Sequence, residues 1–179
     1  MKTTQFLIAG FGGQGILFAG KFLANKGLSD NLQVSWLPSY GPEMRGGTAN
    51  CNVILSEQPI GSPIVTTPDV LIAMNLPSLQ KYVNTVAPGG QIYVDSSLVA
   101  QKVERTDVDI FYVPATQMAK EQDLSTLANM VLMGHVLENH PELSFDGTEA
   151  VVKKLVPPAK AALLELNMKA LRMGKDYKA

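Results

Sequence analysis

Apolar and polar residues alternate along this chain in two periods, one typical of strands and the other typical of helices. Apolar runs and two-residue alternation predict strands at residues 6–9, 32–37, 48–55, 70–74, 91–95 and 109–113. Apolar positions three and four residues apart predict helices at residues 16–26, 77–86, 115–121, 124–139, 146–156 and 159–173. Because strands alternate with helices, we predict an α/β fold: a doubly wound, mostly parallel sheet with helices on both faces and a helical C-terminal third.

Turn and capping residues refine these boundaries. Gly27 is the expected C-cap of the first helix, since glycine adopts the left-handed conformation that ends many helices. Asp146 and Glu149 have the spacing of a capping box, which predicts that Asp146 caps the helix that follows it. A turn at residues 56–59 and a short return segment near Ile60 predict one hairpin. Repeats and long linkers are absent, so residues 1–179 are expected to form a single domain.

The most informative motif is a glycine-rich turn between the first strand and the first helix. Gly10, Gly12 and Gly15 have the G-x-G-x-x-G spacing, and Gly13 and Gln14 lie between them. Such a turn directs backbone N–H groups and the positive end of a helix dipole toward one point, where a phosphate or another anion can bind. The alternative is a tight turn that only lets the helix pack close to the strand. A bound nicotinamide dinucleotide is disfavoured, because the second strand ends without the acidic residue that would hold the ribose.

A second candidate is the polar loop of residues 39–48, which follows the second predicted strand. Its bulky polar side chains and its glycines are Tyr40, Glu43, Arg45, Gly46 and Gly47. Ligands of doubly wound folds bind at the carboxyl edge of the sheet, where this loop and the glycine turn should lie together. Arg45 could hold a carboxylate or phosphate through two hydrogen bonds. The alternative is an internal Glu43–Arg45 ion pair that merely fixes the loop.

The remaining polar residues favour structural roles. Asn75 and Asp95 follow predicted strands at the same edge, where helix caps and turn formers are common. His135 lies inside an apolar helix and is expected to be a hydrogen-bonded structural side chain, while His140 is expected to end that helix. Cys51 lies on the inward face of its strand and is expected to be inert. No nucleophile–histidine–acid pattern and no carboxylate pair stands out, so we predict neither catalytic nor metal-binding residues in this chain.

Composition narrows the classes of function. A net charge of −1 provides no basic field, so nucleic acid is not an expected partner. No apolar run is long enough for a membrane span and no signal-peptide pattern is present, which predicts a cytoplasmic protein without a membrane partner. A single cysteine cannot build an iron–sulfur cluster within one chain. Only 17% of residues are charged, so apolar surface is expected to be buried against other chains, and the isolated chain is expected to form a homodimer.

Two segments together resemble the gamma subunit of 2-oxoacid:ferredoxin oxidoreductases. They are the glycine turn, G-F-G-G-Q-G, and residues 38–49, which contain Y-G-P-E-M-R-G-G. Residues 62–63, 68–75 and 128–130 are also similar, so the resemblance covers nearly the whole chain. The segments at 38–55 and 60–77 look most like the members that act on 2-oxoglutarate or branched-chain oxoacids. The smaller subunit of indolepyruvate ferredoxin oxidoreductases has the same fold, which leaves the substrate open.

The resemblance implies a multi-subunit enzyme that oxidatively decarboxylates a 2-oxoacid and transfers the acyl group to coenzyme A. It implies alpha, beta and ferredoxin-like delta subunits as partners, with thiamine diphosphate, Mg²⁺ and iron–sulfur clusters on those partners and ferredoxin as electron acceptor. For this chain it implies no activity alone, and contacts of the loops at 10–15 and 39–48 with coenzyme A or with the catalytic subunits. The alternatives are a stand-alone NAD-type oxidoreductase and a phosphate-binding scaffold module.

Overall fold

The computed structural model describes residues 2–39, 48–140 and 142–178. Its strands are β1 (Thr3–Phe11), β2 (Gln33–Ser39), β3 (Thr48–Ser56), β4 (Val70–Ala73), β5 (Gln91–Asp95) and β6 (Asp109–Val113). Its helices are α1 (Ile16–Ser29), α2 (Leu76–Tyr82), α3 (Ala115–Glu121), α4 (Ala128–Asn139), α5 (Thr148–Leu155) and α6 (Ala162–Asp176). Short 3₁₀ turns follow α2 at Val83–Thr85 and precede α6 at Pro158–Lys160.

The six strands form one mixed sheet in the order β2-β3-β1-β4-β5-β6. β1, β4, β5 and β6 are parallel to one another, whereas β3 lies antiparallel between β1 and β2. Helices pack on both faces, which confirms the predicted fold class. The hairpin is not where it was predicted: β2 and β3 are the consecutive antiparallel strands, and residues 57–69 contain no strand near Ile60. Pro59 and Pro63 lack the backbone donors that a return strand would need.

Alternate residues of β1 enter two separate apolar layers. Phe6 and Ile8 pack in the larger layer with α1, α4 and α6, whereas Leu7 packs in the smaller layer with α2. All three side chains are at most 5% exposed. The unbroken apolar runs of β1 and β4 follow from this arrangement, because a central strand covered on both faces needs apolar side chains at every position.

Several predicted helix boundaries are wrong: α6, for example, spans Ala162–Asp176 and not 159–173. For α1 and α5 a glycine explains the difference. α1 continues through Gly27 to Ser29, because Gly27 lets the helix lie close to β2 and β3 instead of ending it; a Cβ there would press on Val34 and Leu55. α5 begins at Thr148, after Gly147 in the left-handed conformation with φ 75°, so Asp146 does not cap it.

α4 is a buried helix, whereas the spacing of apolar positions three and four residues apart predicts a helix with one apolar and one polar face. It begins at Ala128 instead of residue 124, and every residue from Ala128 to Leu137 is buried. α6 crosses α4 at Gly134 and Gly174, where an added Cβ would overlap the backbone of the opposite helix. Two helix backbones can approach this closely because neither glycine carries a side chain. Within the described ranges, no helix is both long enough and apolar enough to cross a bilayer.

Candidate functional site

The glycine turn lies at the carboxyl edge of the sheet, between β1 and α1. Gly15 precedes the helix in the left-handed conformation, with φ 74°, and no side chain caps the helix there. The first helical hydrogen bond runs from the Ala19 N–H to the Gly15 carbonyl, at 3.0 Å. The N–H groups of the first turn therefore have no helical carbonyl to bond, and they point out of the helix end. This is the arrangement that favours an anion.

Gln14 joins the turn to the neighbouring strand. Its Oε1 accepts a hydrogen bond from the Phe11 N–H at 2.6 Å, and its Nε2 donates to the Met74 carbonyl at 2.9 Å. The side chain thus ties the end of β1 to the end of β4. Gly10 makes room for it, because a Cβ at Gly10 would lie 2.6 Å from the Gln14 Oε1. Part of the glycine pattern therefore serves packing, as the structural interpretation of the motif expected.

A second helix end meets the first one at this edge. Asn129, in the first turn of α4, donates from its Nδ2 to the Gly15 carbonyl at 3.0 Å. It is only 3% exposed, and its Oδ1 has no hydrogen-bond partner among the described residues. Leu127 precedes α4 and provides no side-chain cap either. Two uncapped helix N-termini are thus linked through one buried amide.

A cavity of about 190 Å³ opens beside these helix ends. Its wall includes Gly13 and Gln14 of the turn and the hydroxyl-bearing residues Thr116, Ser125 and Thr126. The Ser125 and Thr126 hydroxyls and the helix N-termini are suitable donors for a phosphate or carboxylate, whereas the Thr116 hydroxyl already donates to the Asp95 carboxylate. The sequence analysis did not identify these three hydroxyls or Asn129 as site residues. Isolated serines and threonines in loops have no characteristic spacing, and Asn129 was noted only as part of the resemblance to the family.

The polar loop of residues 39–48 begins and ends at the same edge. Ser39 at the end of β2 pairs with Asn50, and Thr48 at the start of β3 pairs with Phe11 at the end of β1. The predicted location of this loop beside the glycine turn is thereby confirmed for its two ends. Its predicted contact residues, Tyr40, Glu43, Arg45, Gly46 and Gly47, lie outside the described residues. Their roles stay predictions.

The polar strand ends beside the turn are occupied by hydrogen bonds of the fold. The Asn75 Oδ1 accepts a hydrogen bond from the Ser78 N–H at 2.8 Å and caps α2. Asp95 is fully buried and accepts from the N–H groups of Ser97 and Thr116 and from the Thr116 hydroxyl. Both residues have the structural roles that the sequence favoured, and the buried Asn75 Nδ2 has no hydrogen-bond partner among the described residues.

The cysteine and the two histidines are also structural. Burial raises the pKa of the Cys51 thiol to about 12, so it remains protonated and does not fit a thiolate ligand of an iron–sulfur cluster. Burial lowers the pKa of His135, whose Nδ1 lies 3.1 Å from the Gly174 carbonyl. His140 ends α4, as predicted. In the described part of the chain, no three acidic, histidine or cysteine side chains converge.

Comparison with known proteins assigns the chain to a family. Residues 5–177 match the family described as pyruvate ferredoxin/flavodoxin oxidoreductase. The ketoisovalerate oxidoreductase subunit VorA of Methanothermobacter thermautotrophicus is 39% identical over 174 residues, which are 95% of this chain and 35% of that protein. The 2-oxoglutarate synthase subunit KorC of Methanothermobacter marburgensis is 36% identical over 179 residues, covering 96% of this chain and 95% of that one.

Solved structures of similar fold lead to the same family. The gamma subunit of a keto/oxoacid ferredoxin oxidoreductase from Geobacter sulfurreducens superposes with a TM-score of 0.85 at 30% identity, over 97% of this chain and 95% of the other. A 2-oxoglutarate:ferredoxin oxidoreductase chain from Magnetococcus marinus, solved with 2-oxoglutarate, coenzyme A and succinyl-CoA bound, gives 0.88 at 25% identity, over 98% of this chain and 31% of that chain.

The chain therefore belongs to the pyruvate ferredoxin/flavodoxin oxidoreductase family. Within that family it is a gamma-type subunit, since it matches the solved gamma subunit over nearly the full length of both chains. It spans about a third of the length of the VorA subunit, in which further sequence accompanies the matching part.

Proposed function

We propose that this chain is the gamma subunit of a coenzyme A-dependent 2-oxoacid:ferredoxin oxidoreductase, with 2-oxoglutarate as the 2-oxoacid. The observation that carries the substrate is the match to the KorC subunit, which extends over 95% of that protein's length. Its partners are alpha, beta and ferredoxin-like delta subunits, and ferredoxin accepts the electrons. Those partner subunits would hold thiamine diphosphate, which would supply the decarboxylation chemistry, and the iron–sulfur clusters that would carry the electrons.

The role of this chain is to bind and orient a phosphate-bearing cosubstrate at the carboxyl edge. The uncapped N-terminus of α1 and the turn from Gly10 to Gly15 offer backbone N–H groups to an anion such as a coenzyme A phosphate. Arg45 adds a guanidinium from the adjacent loop, which begins and ends beside that turn. No residue of the chain needs to take part in proton or electron transfer for this role.

Reconstitution with and without this chain tests the proposal. The isolated chain should show no 2-oxoglutarate- and coenzyme A-dependent reduction of viologen, and the partner subunits should regain that activity when it is added. Activity of the isolated chain would refute the proposal. If the reconstituted enzyme prefers 2-oxoisovalerate to 2-oxoglutarate, the choice of 2-oxoacid is refuted and the rest of the proposal stands.

Without its partners the chain should form a homodimer. Phe11 and Leu98 are 39% and 48% exposed, and both lie at the carboxyl edge, where they leave apolar area for another chain to cover. A two-fold dimer is the commonest way to cover such a surface. Light scattering at micromolar concentration that yields only the 19.3 kDa monomer would contradict this expectation.

A further inference from the structure

Among the described residues, a helix covers β2 and β3 together on one face of the sheet but not on the other. α1 packs against both strands on the first face. On the opposite face, the apolar layer built around α2 takes its strand residues from β1, β4 and β5. The end of α2 reaches β3 at Asn50, whose Nδ2 donates to the Tyr82 hydroxyl at 3.2 Å, and beyond that point Leu37 is left 39% exposed.

The uncovered part of the sheet continues onto the segment of residues 58–67. The strand register places Leu37 and Ile54 on the same side of the sheet, since side chains two residues apart on a strand share a face. Ile64, in the segment, lines a groove of about 310 Å³ together with Gln5 and Ile54 of the strands. This surface, made of the segment and of the side chains of β2 and β3 on that side, is called here the uncharged face.

The uncharged face lacks ionic side chains over a long stretch of exposed sequence. Apart from Glu57, residues 31–39 and 48–68 contain no Asp, Glu, Lys or Arg, although 17% of the whole chain is charged. Every residue of 31–39 and 58–67 is nevertheless at least partly exposed, and Ile64 is 65% exposed. The cores of protein–protein interfaces are depleted of charge in this way. The composition is therefore that of a subunit interface and not of a surface that faces solvent.

This face extends to the candidate site at the carboxyl edge. Phe11, at the end of β1, is 39% exposed and lies on the same side of the sheet as Leu7, which packs with α2. Ser39, at the end of β2, is exposed at the same edge. In the assembly proposed above, partner subunits hold the cofactors, so one of them has to approach this edge. A partner on the uncharged face reaches it, whereas a second copy of this chain would bring no cofactor there.

Longer relatives indicate which partner this is. The matching part makes up 35% of the VorA subunit and 31% of the Magnetococcus marinus chain, so in both it is joined to a larger part of the same polypeptide. Interfaces between parts that stay together are more apolar than transient ones. We propose, on the basis of the subunit role proposed above, that the uncharged face binds the subunit that corresponds to the remainder of those longer chains.

Aspartate variants at two leucines of equal exposure test this surface. Leu37→Asp lies on the uncharged face and should weaken binding of that partner subunit at least about tenfold, because an unpaired carboxylate would be buried in the interface. Leu166, on α6, is also 39% exposed but lies outside the face, so Leu166→Asp should leave binding unchanged. Ile64→Asp is a second variant on the face, in a segment without helix or strand, and should weaken binding as much as Leu37→Asp without lowering Tm.

Calorimetry with the separately purified chain and partner subunit measures these affinities. Wild-type affinity of both Leu37→Asp and Ile64→Asp would overturn the proposal, and so would an equal loss of binding in Leu166→Asp. If light scattering shows that the variants on the face lose self-association while they still bind the partner, a second copy occupies the face and the proposal is wrong. A wild-type chain that binds none of the partner subunits would instead refute the proposed function, on which this interface depends.

Discussion

Removal of the Gln14 side chain separates the structural role of the glycine turn from its role in binding. Gln14→Ala leaves the Phe11 N–H and the Met74 carbonyl without their partners at 2.6 and 2.9 Å. A hydrogen bond contributes a net of about 0.5–1.5 kcal/mol to stability, and the one to Phe11 is exposed. We therefore expect the free energy of unfolding to decrease by about 1–2 kcal/mol. For a chain of this size that corresponds to a decrease in Tm of about 2–8 °C.

Gln14→Glu is the matched control, because it keeps the shape and the acceptor. It retains the bond from the Phe11 N–H but places a carboxylate against the Met74 carbonyl. That repulsion is offset by the helix dipole, which stabilises an anion at the N-terminus by about 0.3–1 kcal/mol. We therefore expect little change in Tm. The new negative charge, however, would occupy the place proposed for a phosphate, so the KM for coenzyme A of the reconstituted enzyme should increase at least about tenfold.

Thermal unfolding by circular dichroism and viologen reduction measure the two effects separately. If Gln14→Ala unfolds at the wild-type temperature, the two hydrogen bonds contribute nothing and the reasoning from geometry fails. If Gln14→Glu leaves the coenzyme A KM unchanged, the turn serves only to pack the helix, and the anion site is refuted while the fold argument stands.

Three further predictions concern the turn, the adjacent loop and the histidines. Gly15→Ala should lower the free energy of unfolding by about 2–4 kcal/mol, because a side chain there meets Asn129 and the backbone is left-handed. Gly13→Ala has open space around it and should lower the free energy of unfolding by only about 1 kcal/mol. Equal urea midpoints of the two variants would contradict this difference. Arg45→Ala should weaken coenzyme A binding or subunit assembly by about 1.5–3 kcal/mol and lower the free energy of unfolding by less than about 1 kcal/mol. Unchanged binding and assembly with a larger loss of folding stability would show that Arg45 is structural. Burial lowers the folded-state pKa of His135 and His140 below their unfolded value. The free energy of unfolding should therefore be highest above about pH 6.5 and decline as the pH falls through the lowered pKa values. Urea midpoints that stay constant between about pH 7 and 5 would be inconsistent with this burial.

The parts of the fold that depend on local chemistry could be predicted from the sequence. The predicted starts of a helix at residue 77 and of a strand at residue 91 agree within one residue with α2, which begins at Leu76, and with β5, which begins at Gln91. The order of the strands could not be predicted in this way. The position of β3 between β1 and β2 depends on contacts between residues far apart in sequence. The alternation in residues 48–55 does not indicate which strands will pair with β3.

Glycine caused the clearest errors, because the same residue ends helices and permits close packing. Gly27 was expected to end α1, yet its missing side chain brings the helix onto the sheet. At the candidate site, the glycine turn was found from its spacing, whereas Asn129 lies more than a hundred residues away in sequence and binds the Gly15 carbonyl. Contacts of that separation leave no local pattern to read.

The central position of β1 has a consequence for how the chain folds during its synthesis. β1 leaves the ribosome before both strands that flank it in the sheet, β3 on one side and β4 on the other. Until residue 73 has emerged, its apolar side chains lack one of the two strands that flank it. The nascent chain thus exposes an unpaired apolar strand edge for the time needed to add those residues, and such an edge is prone to pair with another chain.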